Sequence, residues 1–258
     1  MNCRICNYKS KHVFSTTILN KYNDIKYYHC DNCKFLQTQE PFWLTEAYSD
    51  SISRQDTGVM SRNISLSKVV SVIIYFLFNR NDKFLDYGGG YGIFTRLMRD
   101  IGFDFYWYDP YSNNLVSRGF EYSKNLKNIE LITSFECFEH FIKPLEDIEK
   151  IISISSNVIF TTQLLSESVP KPKDWWYYSL QTGQHISFYS KSTLEFIAKK
   201  YDLNLYSWGG IHLFTKKNIK RFIFNKLMQY RKWFLFNYVK MKMKSRTVDD
   251  MNFIKYLR

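Results

Sequence analysis

The stretch Phe84-Leu85-Asp86-Tyr87-Gly88-Gly89-Gly90-Tyr91-Gly92-Ile93-Phe94-Thr95 constrains the fold of this chain more than any other. A short apolar run reads as a buried strand ending in an acid. A glycine-rich turn follows, and apolar periodicity through Arg96, Leu97 and Met98 opens a helix. Gly88, Gly90 and Gly92 let backbone approach a ligand with no Cβ in the way. The helix start behind them offers N–H groups that lack intrahelical partners. Asp86 repels phosphate at this strand end and suits a cationic, amine-bearing ligand. A dinucleotide fingerprint needs glycine at its first, third and sixth places. Counted from Gly88 the sixth place is Ile93, and counted from Gly90 it is Thr95. A P-loop closes on Gly-Lys-Ser/Thr, yet no lysine lies between Lys83 and Lys124. What remains is acid-x-Gly-x-Gly-x-Gly.

The elements around this loop alternate. An apolar helix over Ser65 to Phe78 precedes it. The segment Phe103 to Asp109 reads as a second strand ending in acid, one helix and one strand beyond Asp86. That spacing puts Asp109 at the carboxyl edge of the neighbouring parallel strand, beside the crevice where open α/β sheets hold ligands. A carboxylate there can accept two hydrogen bonds from a ribose diol. Glu130 to Phe135 and Asn157 to Gln163 read as further core strands, with a helix Leu145 to Ser153 between them and a short strand at Phe120 to Ser123 before them. Ser190 reads as the N-cap of a helix Thr193 to Lys200. Leu203 to Trp208 and Ile211 to Thr215, joined at Gly209-Gly210, read as an antiparallel pair. The fold class expected is α/β: a Rossmann-like doubly wound sheet, mostly parallel with an antiparallel C-terminal edge.

Both ends add something to this sheet. Cys3-x2-Cys6 and Cys30-x2-Cys33 are two knuckles separated by 23 residues, and four thiolates suit a tetrahedral structural zinc. A hairpin over Val13 to Tyr28 would fill the gap, and His12 and His29 are spare ligands nearby. With four of five cysteines in CxxC pairs, the chain does not look like a disulfide-stapled secreted protein. No signal-like leader is seen, and the longest uncharged apolar run, Val69 to Phe78, is shorter than the roughly 20 residues that span a bilayer. The expected location is cytoplasmic. Of the formal charge of +12, residues 216–258 supply 13 basic and 2 acidic residues. This basic tail, interleaved with Phe222, Phe224, Trp233, Phe234 and Phe236, could lie on an anionic inner-membrane surface or pack against a partner protein, with a homodimer among the options. Nucleic acid fits less well, because the positive charge is confined to the tail. The domain reading is 1–40 zinc-ribbon-like module, 41–80 aromatic connection and lead-in helix, 81–215 catalytic domain and 216–258 basic extension.

The acid–glycine loop with Asp109 resembles the class I S-adenosylmethionine (SAM)-dependent methyltransferases. The resemblance sharpens at Ala47-Tyr48-Ser49 with Asp56-Thr57-Gly58 and Arg62-Asn63, at Glu136 with Glu139-His140 and Pro144, and at Gly183 to Ser190. Together with the CxxC pairs these look like small bacterial methyltransferases found among capsule and lipopolysaccharide genes. The resemblance implies SAM as cofactor, held by Asp86, Gly88, Gly90, Gly92 and Asp109, with structural zinc on Cys3, Cys6, Cys30 and Cys33. It implies methylation of a hydroxyl on a sugar or a sugar-linked substituent. A C- or N-methyltransferase acting on a nucleotide sugar is the alternative, and a zinc-containing RNA-binding or RNA-methylating protein is another.

A hydroxyl acceptor needs a base. His185, in the loop after the fifth strand, is the leading candidate, and histidine titrates near neutrality. His140, read as opening a helix, is the second, and Glu136 at a strand tip could bind the acceptor or the base. Trp175, Trp176, Tyr177 and Tyr178 could stack on a sugar ring. Four consecutive large aromatics cannot all face one interior, so some should line a surface.

Overall fold

The structure is a computed structural model, and it describes residues 1–48 and 56–256. Ser49 and the middle of the 41–64 connection lie outside the described residues. Ten strands are present among them: β1 (Lys11–Ile18), β2 (Tyr22–His29), β3 (Leu36–Thr38), β4 (Lys83–Tyr87), β5 (Asp104–Tyr108), β6 (Ile129–Ser134), β7 (Val158–Thr161), β8 (Ser187–Phe188), β9 (Asn204–Trp208) and β10 (Ile211–Thr215). The helices are α1 (Leu44–Ala47), α2 (Val59–Leu77), α3 (Ile93–Ile101), α4 (Pro144–Ile154), α5 (Lys191–Lys200), α6 (Arg221–Tyr230), α7 (Phe236–Lys242) and α8 (Thr247–Lys255).

One sheet runs β1-β2-β3-β8, and the other β5-β4-β6-β7-β10-β9. In the larger sheet β4 is parallel to β5 and to β6, while β9 and β10 are antiparallel. The sheet is therefore mixed, with parallel pairs at the glycine loop and the expected antiparallel C-terminal pair. Gly209 and Gly210 make the β9–β10 turn with φ of 53° and 81°, the doubly left-handed geometry of a two-residue hairpin loop. The strand expected at Phe120–Ser123 does not form. A single bridge, Trp107 to Glu121, stands in its place, because the chain from Asp109 to Asn128 is spent in turns.

By contact density the chain divides into two units. The first holds Met1–Ser53, Glu136–Ser153 and Phe160–Lys216; the second holds Arg54–Phe135, Ile154–Ile159 and Lys217–Arg258. The cysteine module shares a unit with the segments after β6, and the basic extension shares one with the glycine loop.

In the first unit, Ile18, Ile25, Tyr27, Leu36, Trp43, Tyr177, Tyr178 and Phe188 form one apolar cluster. Ser190 caps α5 as expected, and its side chain and that of Thr193 each bond the other's backbone N–H. Such reciprocal caps contribute about 1 kcal/mol. Thr193 Oγ1 also donates to the Cys33 carbonyl at 2.8 Å, tying the second knuckle to the start of α5.

In the second unit, Phe84, Phe94, Phe103 and Phe105 pack around β4 and β5. The lead-in helix, α2, begins earlier than its apolar spacing suggested. By length and composition α2 could cross a membrane, but Leu66, Val69, Val70, Val72, Ile73 and Ile74 are buried inside the protein. The basic extension folds as α6, α7 and α8. Phe222, Phe234 and Met241 are among its exposed apolar side chains.

Candidate functional site

Parallel register sets Asp86 of β4 opposite Trp107 of β5 and Thr133 of β6, and Tyr87 opposite Tyr108. Asp109 therefore follows at the next strand tip. The Tyr108 carbonyl accepts from the N–H groups of Gly88 and Gly89 at 2.8 and 3.1 Å. Asp109 Oδ2 accepts from Gly90 N–H at 2.9 Å, and its Oδ1 accepts from Tyr111 and Ser112 N–H at 2.8 and 2.9 Å. Trp107 Nε1 donates to the Gly90 carbonyl at 2.9 Å. The loop is thus strapped to the tip of β5. Gly88, Gly90 and Gly92 hold φ of 75°, 53° and 84°, a region that costs other L-residues roughly 1–2 kcal/mol.

Two sequence expectations change here. Asp86 offers no open face to an amine. It is 2% exposed, and it accepts from Thr133 Oγ1 at 2.9 Å and Thr95 Oγ1 at 3.1 Å. Burial lifts its pKa to about 7, with the Asp109 charge adding to the rise against the two hydroxyl bonds. Its carboxylate thus lies beneath the loop between β6 and α3. Gly92 also serves the chain itself, since a Cβ there would meet Asn114 Oδ1 at 2.6 Å and Ser117 Cβ at 3.2 Å. Gly89, which the sequence reading passed over, is as tightly enclosed as Gly92. A Cβ on it would fall 2.6 Å from Trp107 Cδ1 and 2.8 Å from Asp86 Oδ2.

The other candidates lie in the first unit. Glu136 sits just past β6 with φ of 50°, a strained setting of the kind that recurs at working sites. Its N–H donates to Thr161 Oγ1 at 2.9 Å, and that hydroxyl donates back to Glu136 Oε1 at 2.7 Å. A 3-10 turn over Phe138–His140 follows, so His140 precedes a helix rather than opening one. His140 Nδ1 lies 2.8 Å from the Tyr48 hydroxyl and 3.1 Å from the Gln184 carbonyl. His185 Nδ1 lies 2.7 Å from the Tyr177 carbonyl. The two imidazoles meet edge to face with centroids 4.9 Å apart. Burial lowers both pKa values, to about 3 for His140, where His185 adds to the fall, and to about 4 for His185. Both rings are neutral at pH 7.

The aromatic run divides. Tyr177 and Tyr178 are each 1% exposed within the core, whereas Trp176 is 76% exposed. The buried pair cannot stack on a sugar. Their hydroxyls are held by Thr162 and by the Pro170 carbonyl. Trp176 alone of the four presents a largely open indole.

The sulfur atoms of Cys3, Cys6, Cys30 and Cys33 all lie within 4.8 Å of one another, and none is in a disulfide. The knuckles share one backbone pattern. Cys3 N–H bonds the Tyr8 carbonyl and Cys30 N–H that of Phe35, while Asn7 and Lys34 donate back to the Cys3 and Cys30 carbonyls. Asn7 and Lys34 both hold positive φ, 57° and 59°. The expected hairpin between them is β1–β2.

A family model described as "Methyltransferase domain" matches residues 62–207. The chain belongs to the methyltransferase-domain family. No curated protein is a detectable relative. Among solved structures, this methyltransferase-family chain is similar to the mitomycin 7-O-methyltransferase MmcR, with 13% identity, 67% of this chain and 59% of that one covered, and a TM-score of 0.44. It is similar to the plantazolicin methyltransferase BpumL in complex with SAH (14% identity, 65% and 78% covered, TM-score 0.46). Human N-acetylserotonin methyltransferase (ASMT) in complex with SAM gives 14%, 68% and 66%, and 0.42. The chain spans less than two thirds of the mitomycin enzyme's length.

The loop of this methyltransferase-family chain fits a SAM nucleoside on its own geometry. Backbone in the left-handed region at Gly88 and Gly90 brings main chain, free of side chains, to the surface of the turn. The Asp109 carboxylate, only partly buried, has accepting capacity beyond its three backbone donors. The supports missed by the sequence reading are Gly89, Thr95 and Thr133 around Asp86, and Thr161 at Glu136. Gly89 had a signal in the uninterrupted glycine run. The threonines had none: Thr133 meets Asp86 only once β4 and β6 pair, Thr95 reaches it from α3, and Thr161 meets Glu136 from β7.

Proposed function

We propose that this protein is a SAM-dependent methyltransferase that methylates a hydroxyl on a sugar, or on a substituent of a sugar, during assembly of a bacterial surface polysaccharide. The observation that carries the cofactor half is the glycine loop clamped to Asp109 across adjacent parallel strand tips. Gly88 and Gly90 would line the cofactor's methionine end, and Asp109 would accept from its ribose hydroxyls. Bound there, SAM supplies a methyl group already activated on a sulfonium sulfur. The chain itself must exclude water, orient the acceptor and take up its proton. The basic atoms proposed for that proton are His185 Nε2, its Nδ1–H being committed to the Tyr177 carbonyl, and the Glu136 carboxylate. His140 and the open face of Trp176 are the remaining acceptor-side groups proposed.

In the same reading, Cys3, Cys6, Cys30 and Cys33 hold a structural zinc ion. Four sulfur donors close the coordination sphere, so this zinc would stabilise the fold and leave the chemistry to others. The protein works in the cytoplasm, and the exposed Phe222, Phe234 and Met241 among the lysines of the tail suit an anionic membrane surface carrying a lipid-linked glycan.

The test is a methyl-transfer screen with labelled SAM against nucleotide sugars and demethylated surface glycan. Label entering a base-stable, O-linked product supports the reading. Label found only on carbon or nitrogen moves the assignment to the alternative chemistry, and label found only in RNA overturns it.

A further inference from the structure

Three side chains in the first unit are held in a way that proton transfer alone does not explain. Glu139 is 0% exposed, and the hydroxyls of Tyr177 and Thr162 face its carboxylate without well-aligned hydrogen bonds to either oxygen. An ionised carboxylate buried alone is costly by several kcal/mol, so it takes a proton, a cation or a donor. Beside it stand His140 and His185, and one donor atom from each of the three lies within 4.8 Å of the other two.

The outer partners of the imidazoles favour a cation. A carbonyl can only accept, so His185 Nδ1 carries its hydrogen toward Tyr177, 2.7 Å away, and leaves the lone pair on Nε2. His140 Nδ1 faces the Gln184 carbonyl at 3.1 Å and the Tyr48 hydroxyl at 2.8 Å. Donation to Gln184 leaves the lone pair on Nε2, and a cation there would take the place of the hydrogen bond between this ring and the Glu136 carbonyl. Histidines that ligate metals nearly always donate their second nitrogen to a carbonyl or carboxylate, which fixes the tautomer and the ring plane.

We propose that Glu139, His140 and His185 form a binding site for a divalent transition cation of the zinc or ferrous type, separate from the four-cysteine site. Two imidazoles and a carboxylate are a donor set that such ions favour. Three protein ligands leave a coordination position open, unlike four thiolates, so a water or an oxygen of a small molecule completes the sphere. With the cation bound the histidines act as ligands, so the role of base passes from His185 Nε2 to Glu136 alone. That last role rests on the methyl-transfer reading, whereas the cation site does not.

Cobalt(II) is the probe that tests it, because thiolate-bound cobalt shows charge-transfer bands that cobalt on nitrogen and oxygen lacks. Metal-stripped full-length protein is titrated with Co2+ and followed by absorption and by bound cobalt per chain. The expected result is one equivalent without thiolate charge transfer, in addition to any bound by cysteine. In Glu139→Gln and His185→Gln that equivalent should weaken by more than about 100-fold, since loss of even an outer-shell partner costs 10- to 100-fold. Thiolate bands retained in both variants show that the cysteine module has kept its structure. Absence of any cobalt outside the thiolate bands overturns the proposal, as does an equivalent whose affinity both substitutions leave unchanged. Methyl transfer is not needed for either readout, so failure of the cation site is distinguishable from failure of the methyltransferase reading.

Discussion

Arg99 and Asp250 form a bidentate pair: Arg99 Nη2 donates to Asp250 Oδ1 at 2.6 Å and Arg99 Nε to Oδ2 at 2.8 Å, across 151 residues of sequence. Both side chains are buried. Arg99 also donates to Asp104 Oδ1 and to the Phe105 carbonyl, and its guanidinium lies over the Phe120 ring. Through this pair α8 of the basic extension is fastened to α3, the helix that starts at the glycine loop. Burial works against the Asp250 charge, but hydrogen bonds from Arg99 and Arg96 outweigh it and hold the carboxyl below its ordinary value.

Asp250→Ala should therefore destabilise the protein by about 1.5–3 kcal/mol, because it removes the charged hydrogen bonds to Arg99 and leaves Asp104 to pair the buried guanidinium. Denaturant unfolding measures this. A loss under about 1 kcal/mol would mean that the pair is solvated. Since a depressed carboxyl pKa contributes stability above its unfolded value of about 3.9, the contribution of this pair should fade only as the pH falls through and below 4.

Asp86 should act in the opposite direction. Its folded pKa is raised to about 7, so between about pH 4 and pH 7 the folded state holds a proton that the unfolded state has released. Stability attributable to this group falls as pH rises across that window and levels off above it. Asp86→Asn removes the titration and should flatten the stability profile there by an amount on the order of a few kcal/mol. Chemical denaturation at a series of pH values checks the slope; an identical slope in the variant would contradict the assignment.

At Gly89 an added Cβ meets the Trp107 ring and Asp86 inside 3 Å. Gly89→Ala should push the loop off the tip of β5 and weaken binding of the demethylated cofactor by at least about tenfold. Far-UV circular dichroism should stay unchanged. Calorimetry and dichroism together separate a displaced loop from an unfolded domain.

His185→Ala should leave cofactor affinity within about twofold and lower turnover by about 10²-fold or more, the usual scale for a lost acid–base group. The same split is expected if His185 ligates a cation. Turnover within a few-fold of the parent protein would remove His185 from the chemistry.

Much of this was legible in sequence because it is local. The glycine loop, the β1–β2 hairpin between CxxC pairs, the Ser190 cap and the Gly209-Gly210 turn each depend on residues within a few positions of one another. What escaped depends on tertiary register. Asp86 reads as a ligand contact until Thr95 and Thr133 are seen to close over it. Tyr177 and Tyr178 read as a stacking surface until the apolar cluster takes them in. Nor does a charge count reveal that Asp250, one of two acids in a basic tail, binds Arg99 in the core.

The central claim is that the loop clamped to Asp109 holds SAM, and titration calorimetry with S-adenosylhomocysteine on the parent protein and on Asp109→Ala tests it most directly. The account predicts one site per chain in the parent protein, and at least about tenfold weaker binding in a variant that still melts cooperatively. Absence of binding in the parent protein, or an unchanged affinity in Asp109→Ala, would contradict it.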